Sequence, residues 1–301
     1  MINFAKSRPL TGNLWQIGSR RGLTRRQNSV MKYTLNVNGR LMDMTEPQVM
    51  GILNCTPDSF FAGSRKQTEA EIADRANEIT AQGGSMIDVG ACSTRPGSDA
   101  VSAEEEMNRL RFALGIVRRE QPDAVVSVDT FRPDVARMAV EEFGADIIND
   151  VSEGVLPADE ATDGPSMFET VARLGVPYVL MSVKPALREM LLAFAEEVQQ
   201  LRNLGQKDII LDPGFGFGKT LSDNYRLMNE LERLRVLQLP VLVGISRKTM
   251  IWRLLDADPA AALNGTTVLN TVALLKGADI LRVHDVREAV EAVKIVRQLA
   301  V

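Results

Sequence analysis

The sequence predicts a single-domain α/β fold, an eight-stranded (β/α)8 (TIM) barrel with a short N-terminal hairpin. Eight short runs rich in β-branched residues alternate with eight longer segments of helical periodicity, several of which end at glycine. Strands that alternate with helices pair in parallel through right-handed crossovers. Eight such units in about 250 residues is the number in a barrel, whereas a doubly wound sheet usually has about five or six strands.

The predicted elements follow one another in a regular order. The strands are 49–54, 86–90, 125–129, 146–149, 178–181, 208–212, 241–245 and 279–284, and the helices are 70–81, 103–119, 133–143, 167–174, 186–204, 223–236, 263–276 and 286–299. Pro133 suits a first helical turn, and Gly144 and Gly175 suit helix ends. Residues 31–47 precede the first unit and are predicted to form a hairpin that closes the bottom of the barrel.

The first 30 residues differ in charge from the rest of the chain. Residues 1–30 contain Lys and Arg but neither Asp nor Glu, so they form a basic leader ahead of a barrel domain at 31–301. A targeting segment has a similar composition, whereas an upstream start codon or a disordered tail gives the same pattern without a function. The strand-like alternation that begins at Met31 favours one of the latter two.

Composition excludes several classes of protein. With 45% hydrophobic and 25% charged residues, the 301-residue chain can bury a large core and is not intrinsically disordered. A net charge of −4 provides no basic field for nucleic acid. No apolar run approaches the roughly 18 residues of a membrane span, and two cysteines suit the reducing cytoplasm. A single histidine, His284, excludes zinc sites with several histidines.

Polar side chains gather where the predicted strands end, which is the edge at which barrels of this kind place their active sites. Loops favour polar residues in any case, but the residue types here suit a particular chemistry. Asp129, Asn149 and Asp212, beside Lys248, suit a flat heterocycle with several N–H donors and a carbonyl. Three others, Arg282, His284 and Asn54, suit a phosphate or diphosphate, and Arg282 can also stack on a flat ring.

Two local patterns have weaker interpretations. The stretch GFGFGKT at 214–220 lacks the first glycine of a nucleotide-phosphate loop because Pro213 stands at that position. We therefore interpret it as a flexible glycine loop whose Phe217 covers a bound ring. Cys55 and Cys92 follow neighbouring strands, but two thiols without further ligands make a poor zinc site, and packing residues are the better interpretation.

Seven motifs follow one another along the chain: MGILNCTPDSF at 50–60, IDVGACSTRPG at 87–97, SVDT at 127–130, IIND at 147–150, DPGFGFGK at 212–219, SRK at 246–248 and RVHD at 282–285. In this order they resemble the dihydropteroate synthase family of bacterial folate biosynthesis. The resemblance implies an enzyme, a transferase that condenses 6-hydroxymethyl-7,8-dihydropterin diphosphate with p-aminobenzoate to give dihydropteroate and diphosphate. It also implies a Mg²⁺ cofactor, small-molecule substrates and a homodimer.

The resemblance also assigns residues to each substrate. The pterin site comprises Asp129, Asn149, Asp212, Phe217, Lys248 and the stacking Arg282; the diphosphate site comprises Asn54, Thr94, Arg282 and His284, with Mg²⁺ at Asn54; and the p-aminobenzoate site comprises Phe60, Arg95, Pro96, Lys248 and Thr249. Asp129, Lys248 and Asp212 are the expected catalytic residues. A carboxylate at Asp129 suits a dissociative reaction because it stabilises the pterin cation that develops as diphosphate leaves.

Several departures from the family pattern keep alternatives open. Residues 61–64 lack the usual acidic residue, Ser182 replaces a usual histidine, the segment 183–190 is short, and Thr249 stands where serine is common. A non-catalytic pterin-binding paralogue is therefore one alternative. A protein similar to methyltetrahydrofolate methyltransferases is another, although the SRK and RVHD motifs argue against it.

Overall fold

A computed structural model describes residues 33–55, 65–92, 101–154 and 164–299 of the chain. The predicted leader, 1–30, lies outside these residues. Eight parallel strands form one sheet: β3 (Gln48–Asn54), β4 (Met86–Gly90), β5 (Val125–Asp129), β6 (Ile147–Asp150), β7 (Tyr178–Met181), β8 (Ile209–Asp212), β9 (Leu242–Val243) and β10 (Ile280–Val283). Their order is β8-β7-β6-β5-β4-β3-β10-β9, and a parallel bridge between Leu211 and Val241 joins the two edges. The predicted barrel is confirmed.

Helices surround the sheet at nearly the predicted positions. They are α1 (Arg65–Ala81), α2 (Ala103–Glu120), α3 (Pro133–Phe143), α4 (Met167–Leu174), α5 (Leu187–Asn203), α6 (Leu221–Glu230), α7 (Thr249–Trp252), α8 (Leu263–Leu275) and α9 (Val286–Leu299). α3 has its proline in the first turn and ends at Gly144, whose φ of 62° is left-handed. None of the helices in the described parts of the chain is long and apolar enough to cross a membrane.

Two predicted helical details differ from the structure. The segment predicted as one helix, 223–236, divides into α6 and a 3-10 helix at Leu231–Leu237, which hydrophobic periodicity does not distinguish from a continuous α-helix. α7 has only four residues, which is too short to produce a periodic pattern.

The chain ahead of the barrel forms an antiparallel hairpin of β1 (Thr34–Val37) and β2 (Arg40–Asp43). Asn38 and Gly39 make its two-residue turn, and both have positive φ, as a type I′ turn requires. The hairpin places Leu35 and Val37 against an apolar layer inside the barrel: Met50, Met86, Ile147, Val179, Ile210, Leu242 and Ile280. The hairpin therefore closes the bottom of the barrel, as the sequence predicts.

Alternation along each strand then determines what lies above this apolar layer. Because side chains two residues apart share a face, the strands have eight next inward positions. Ile52, Ser127, Met181 and Gly244 occupy four of them, and the other four carry charge or an amide: Asp88, Asn149, Asp212 and Arg282. Two residues further along their strands, toward the mouth of the barrel, lie Asn54, Asp129, Ser246 and His284. Residues between these positions, such as Val89 and Leu281, face the helices in the main core. The barrel is thus apolar at its base and polar at its mouth.

Candidate active site

Arg282 joins two carboxylates in the barrel interior. Its Nε donates a hydrogen bond to Asp88 Oδ2, and its Nη2 donates one to Asp129 Oδ2, both at 2.6 Å. Burial acts to lower the pKa of Arg282, but the charges of Asp88 and Asp129 outweigh it and raise the pKa overall. The guanidinium therefore stays charged, and its plane is fixed along the edge that carries these two bonds.

Asn149 extends this group of residues. Its Nδ2 donates to Asp88 Oδ2 at 3.2 Å, and both side chains are buried. Within the described parts of the chain, Asn149 Oδ1 and Asp88 Oδ1 are buried without a hydrogen-bond partner. Buried polar atoms normally have a partner, so these two oxygens are free to accept hydrogen bonds from a ligand or from water. Oxygens of this kind suit a ligand that carries N–H or O–H groups.

Asp129 has an unusual ionisation equilibrium. Burial raises the pKa of its carboxyl to about 7, while the charge of Arg282 opposes the shift and that of Asp88 adds to it. The carboxyl is therefore harder to ionise than that of an ordinary exposed aspartate. A carboxylate of this kind responds strongly to a nearby positive charge, because a cation in the pocket favours its ionised form.

Asp212 and Lys248 form the second half of the pocket. Asp212 Oδ1 accepts the Gly214 N–H at 2.8 Å, and Lys248 Nζ donates to the carbonyl of Phe215. The same Nζ lies 4.7 Å from the centroid of the Phe217 ring, within cation–π range. Burial lowers the pKa of Lys248 to about 8, although the negative charge of Asp212 acts to raise it.

The glycine loop after β8 is held by Lys219. Its Nζ donates to three backbone carbonyls, those of Ser182 (2.9 Å), Gly214 (3.0 Å) and Phe217 (3.1 Å). Gly214 has a φ of 64°, and a Cβ there would lie 2.3 Å from the Ser182 carbonyl oxygen. The sequence predicts a flexible loop. In the structure, glycine at position 214 instead allows the loop to approach the end of β7 closely, and the hydrogen bonds of Lys219 hold it there.

His284 and Asn54 lie at the mouth of the barrel. Ser246 Oγ is 3.1 Å from His284 Nδ1, and it also accepts the backbone N–H of His284 at 3.1 Å. Burial and the charge of Arg282 lower the pKa of His284 to about 4. A Cβ on Gly90 would lie 3.7 Å from both Asn54 Oδ1 and Asp129 Oδ2, so these two oxygens border the same space above Gly90.

The structure therefore brings most of the predicted site together. Asp129, Asn149, Asp212, Phe217, Lys248, Arg282, Asn54 and His284 all lie at the barrel mouth, and Thr249 begins α7 directly after Lys248. Phe60, Thr94, Arg95 and Pro96 lie outside the described residues.

Sequence reasoning omitted two residues of this site, Asp88 and Ser246. Asp88 is fully buried and contacts both Arg282 and Asn149. Its signal in the sequence is an aspartate inside an otherwise apolar strand, and alternation places it on the same inward face as Met86. Ser246 belongs to the SRK motif at 246–248, but the motif alone predicts no contact with His284.

Comparison with known proteins gives a consistent result. Residues 50–284 match the family model described as pterin binding enzyme. The chain is 37% identical over 277 residues to dihydropteroate synthase of Escherichia coli K12, covering 87% of this chain and 95% of that one. It is 40% identical over 254 residues to dihydropteroate synthase of Bacillus subtilis 168, covering 82% and 86% of the two chains.

Solved structures agree with these relatives. Xanthomonas albilineans dihydropteroate synthase with 4-aminobenzoic acid superposes with a TM-score of 0.80 at 34% identity, covering 89% of this chain and 98% of that one. A complex of dihydropteroate synthase from the same organism with 7,8-dihydropteroate gives a TM-score of 0.77 at 33% identity, with the same coverage. The present chain belongs to the pterin-binding enzyme family and, within it, to the dihydropteroate synthases.

Proposed function

We propose that this chain condenses 6-hydroxymethyl-7,8-dihydropterin diphosphate with p-aminobenzoate, releasing diphosphate and forming 7,8-dihydropteroate. The observation that carries the proposal is the polar layer of the barrel, where Asp88, Asp129, Asn149 and Arg282 face the pair Asp212 and Lys248. Family membership and solved relatives with 4-aminobenzoic acid and 7,8-dihydropteroate support it. The reaction makes the enzyme a transferase of folate biosynthesis.

The pterin ring is recognised by acceptors on one side and a donor on the other. Its amino group and ring N–H groups donate to the carboxylates of Asp129 and Asp212 and to Asn149 Oδ1, which is buried without a partner among the described residues. Its carbonyl accepts from the Lys248 ammonium. Arg282 stacks on the ring, because two carboxylates hold one edge of the guanidinium and leave its faces for the ligand.

The reaction breaks the bond between the pterin methylene carbon and the diphosphate oxygen. The electron pair leaves with diphosphate, and the positive charge that develops on the pterin is stabilised by the carboxylate of Asp129. The amine nitrogen of p-aminobenzoate then forms the new carbon–nitrogen bond, and one proton is released. The chemistry needs no covalent intermediate with the enzyme.

The diphosphate binds at the rim formed by Asn54, Arg282 and His284. The family resemblance assigns Thr94, which lies outside the described residues, to the same group. Mg²⁺ fits this rim, because it binds few protein oxygens and completes its shell with phosphate and water. Asn54 Oδ1 is such an oxygen, at the exposed end of β3 and above Gly90 with Asp129 Oδ2. When bound there, Mg²⁺ would neutralise charge on the leaving diphosphate.

The p-aminobenzoate site lies on the side of the pocket formed by Lys248, Thr249 and Phe217. Lys248 offers a charge for the carboxylate, and the exposed Thr249 offers a hydroxyl beside it. The family resemblance assigns Phe60, Arg95 and Pro96, which lie outside the described residues, to the same substrate.

A homodimer through α8 is part of the proposal. α8 is strongly apolar, and yet Val268 and Leu275 on it are exposed, as are Leu254 and Leu255 on the segment that precedes it. Exposed apolar residues that cluster in this way suit a protein–protein interface. Val268→Asp is expected to convert a dimer to a monomer in sedimentation equilibrium, and an unchanged mass would contradict this interface.

A cytoplasmic location is proposed on the state of the cysteines. Cys55 and Cys92 are both free, and burial raises the pKa of the Cys55 thiol to about 12, which keeps it protonated and unreactive. Two free thiols suit a reducing compartment.

Diphosphate release tests the proposed reaction. The pterin diphosphate and Mg²⁺ are incubated with the enzyme, with and without p-aminobenzoate, and 7,8-dihydropteroate is followed by mass. Formation of 7,8-dihydropteroate only when p-aminobenzoate is present is the expected result, with Asp129→Asn as the control of strongly reduced activity. Pterin binding without 7,8-dihydropteroate would instead support a non-catalytic paralogue, and transfer of a methyl group from methyltetrahydrofolate would support the methyltransferase alternative.

A further inference from the structure

His284 and Ser246 share an arrangement that the reaction described above does not explain. His284 follows β10 and Ser246 follows β9, so they meet where two neighbouring strands end. A single hydroxyl oxygen, Ser246 Oγ, lies 3.1 Å from two different nitrogens of His284, the backbone N and Nδ1. His284 is also the only histidine in the chain.

The hydroxyl group has one hydrogen and can accept through its lone pairs. Because the backbone N of His284 carries a hydrogen, Ser246 Oγ must be the acceptor in that bond. Among the described residues, the only other hydrogen-bond contact of Ser246 Oγ is with Nδ1, where the direction depends on the tautomer. Ser246 is buried, with 6% of its surface exposed, so its hydrogen is directed to Nδ1 rather than to bulk water. An imidazole that accepts at Nδ1 carries its hydrogen on Nε2.

The charges around His284 favour the same state. Arg282 lies two residues before it on the same strand, Arg247 follows β9, and Arg75 of α1 donates to the His284 carbonyl at 2.6 Å. The opposing carboxylate, Asp285, is bound twice by Arg247, at 2.7 and 3.0 Å. Burial and these three cations lower the pKa of His284 to about 4, so the imidazole is neutral at pH 7.

We infer that Ser246 is a positioning residue that keeps His284 a neutral imidazole with its hydrogen on Nε2, ready to donate to the diphosphate. The tautomer follows from the contacts of Ser246, whereas the diphosphate as acceptor rests on the proposed function. His284 then contributes a directed hydrogen bond and no charge, and Arg282 is the cation among the described diphosphate contacts. His284 also has no second proton to transfer, so the leaving diphosphate departs without general acid catalysis from this residue.

Because the chain has one histidine, nitrogen NMR can observe this state directly. The 15N-labelled full chain, purified without a histidine tag, gives one pair of imidazole nitrogens in a long-range proton–nitrogen correlation. The expected wild-type spectrum at pH 7 has an unprotonated Nδ1 and a protonated Nε2, and it stays so down to about pH 5. A doubly protonated ring, or a hydrogen on Nδ1, would overturn the inference.

Variants at Ser246 separate a positioning role from general stabilisation. Ser246→Ala removes the hydroxyl, and we expect a mixture of both tautomers, whereas Ser246→Thr retains a hydroxyl and restores the wild-type pattern. The kcat/KM for the pterin diphosphate should fall about tenfold in the alanine variant and recover in the threonine variant, as for one hydrogen bond. An alanine variant with the wild-type spectrum would contradict the role of Ser246.

Inorganic diphosphate is the probe for the binding role. Its addition with Mg²⁺ should shift the Nε2 signal while Nδ1 stays unprotonated, and a doubly protonated ring in that complex would overturn the neutral-donor inference. Failure of the proposed function is distinguishable, because an inactive wild-type enzyme with the expected tautomer would reject the reaction and leave the Ser246 contact intact.

Discussion

The two ends of the barrel are made from the same strands and have opposite properties. At the base, Ile147 and Ile280 face inward and pack with the hairpin residue Leu35. Two residues further along the same strands, Asn149 and Arg282 face inward and bind the carboxylate of Asp88. One step of the strand repeat therefore separates an apolar plug from a polar pocket. The difference shows that stability and chemistry are assigned to different layers of one scaffold.

The polar layer has a cost that the apolar layer does not. Asp88 is fully buried, and its charge is balanced by Arg282. Buried ion pairs often contribute little net stability, because desolvation offsets the attraction between the charges. A layer of this kind is therefore retained for ligand binding, and substitutions in the two layers should have different consequences.

The largest effect is expected from Asp129→Asn at the mouth. Loss of the negative charge removes stabilisation of the developing pterin cation, so kcat should fall about a thousandfold. Thermal unfolding should change little, because Arg282 keeps its bond to Asp88. Steady-state kinetics and a thermal scan of the same preparation measure both quantities. Near-normal turnover would show that Asp129 does not have this role.

Leu35→Ala at the base should produce the opposite pattern. Leu35 is fully buried against the apolar layer, so its truncation should reduce the free energy of unfolding by about 2–5 kcal/mol. The kcat/KM of the folded fraction should stay at the wild-type value. Leu41→Ala, on the exposed strand of the same hairpin, is the control and should cost under about 0.5 kcal/mol in urea unfolding. Equal losses of unfolding free energy in the two variants would contradict the packing of the hairpin against the base of the barrel.

Lys219→Met should have a smaller effect that depends on pH. Lys219 fastens the loop whose backbone contacts Asp212 and Lys248, so we expect KM for the pterin diphosphate to rise about tenfold. The positive charge of Lys219 also lowers the pKa of Lys248, which is about 8. Activity that needs protonated Lys248 falls as pH rises through this value, and removal of Lys219 should move the fall to higher pH.

Lys184→Met is the matched control for this variant. Lys184 follows β7, whose end Lys219 contacts, but its side chain is only half-buried and its Nζ lies 3.8 Å from Glu153. Its kcat/KM profile from pH 6 to about 10 should coincide with that of the wild type. If Lys219→Met also keeps the wild-type profile, Lys219 does not influence Lys248.

The sequence predicts the barrel well, because each unit repeats the same local signals. Pro133 and Gly144 bound α3 at the predicted residues, and the polar ends of the strands meet at one mouth. The contacts within the pocket were not predictable. Arg282 binds Asp88 and Asp129, which lie 194 and 153 positions away in the chain. A local sequence pattern cannot predict contacts between residues so far apart. The function of Lys219 likewise depends on a close approach between β7 and the loop after β8.

The most direct test of this separation compares two variants of β10, Arg282→Lys and Ile280→Val, which change neighbouring inward positions conservatively. Arg282→Lys keeps a positive charge for Asp88 but loses the paired N–H groups and the planar face of the guanidinium. The kcat/KM should therefore fall at least about a hundredfold with little change in Tm. Ile280→Val should lower stability by about 1 kcal/mol and leave kcat/KM unchanged. Full activity in Arg282→Lys together with reduced activity in Ile280→Val would contradict the assignment of chemistry to the upper layer.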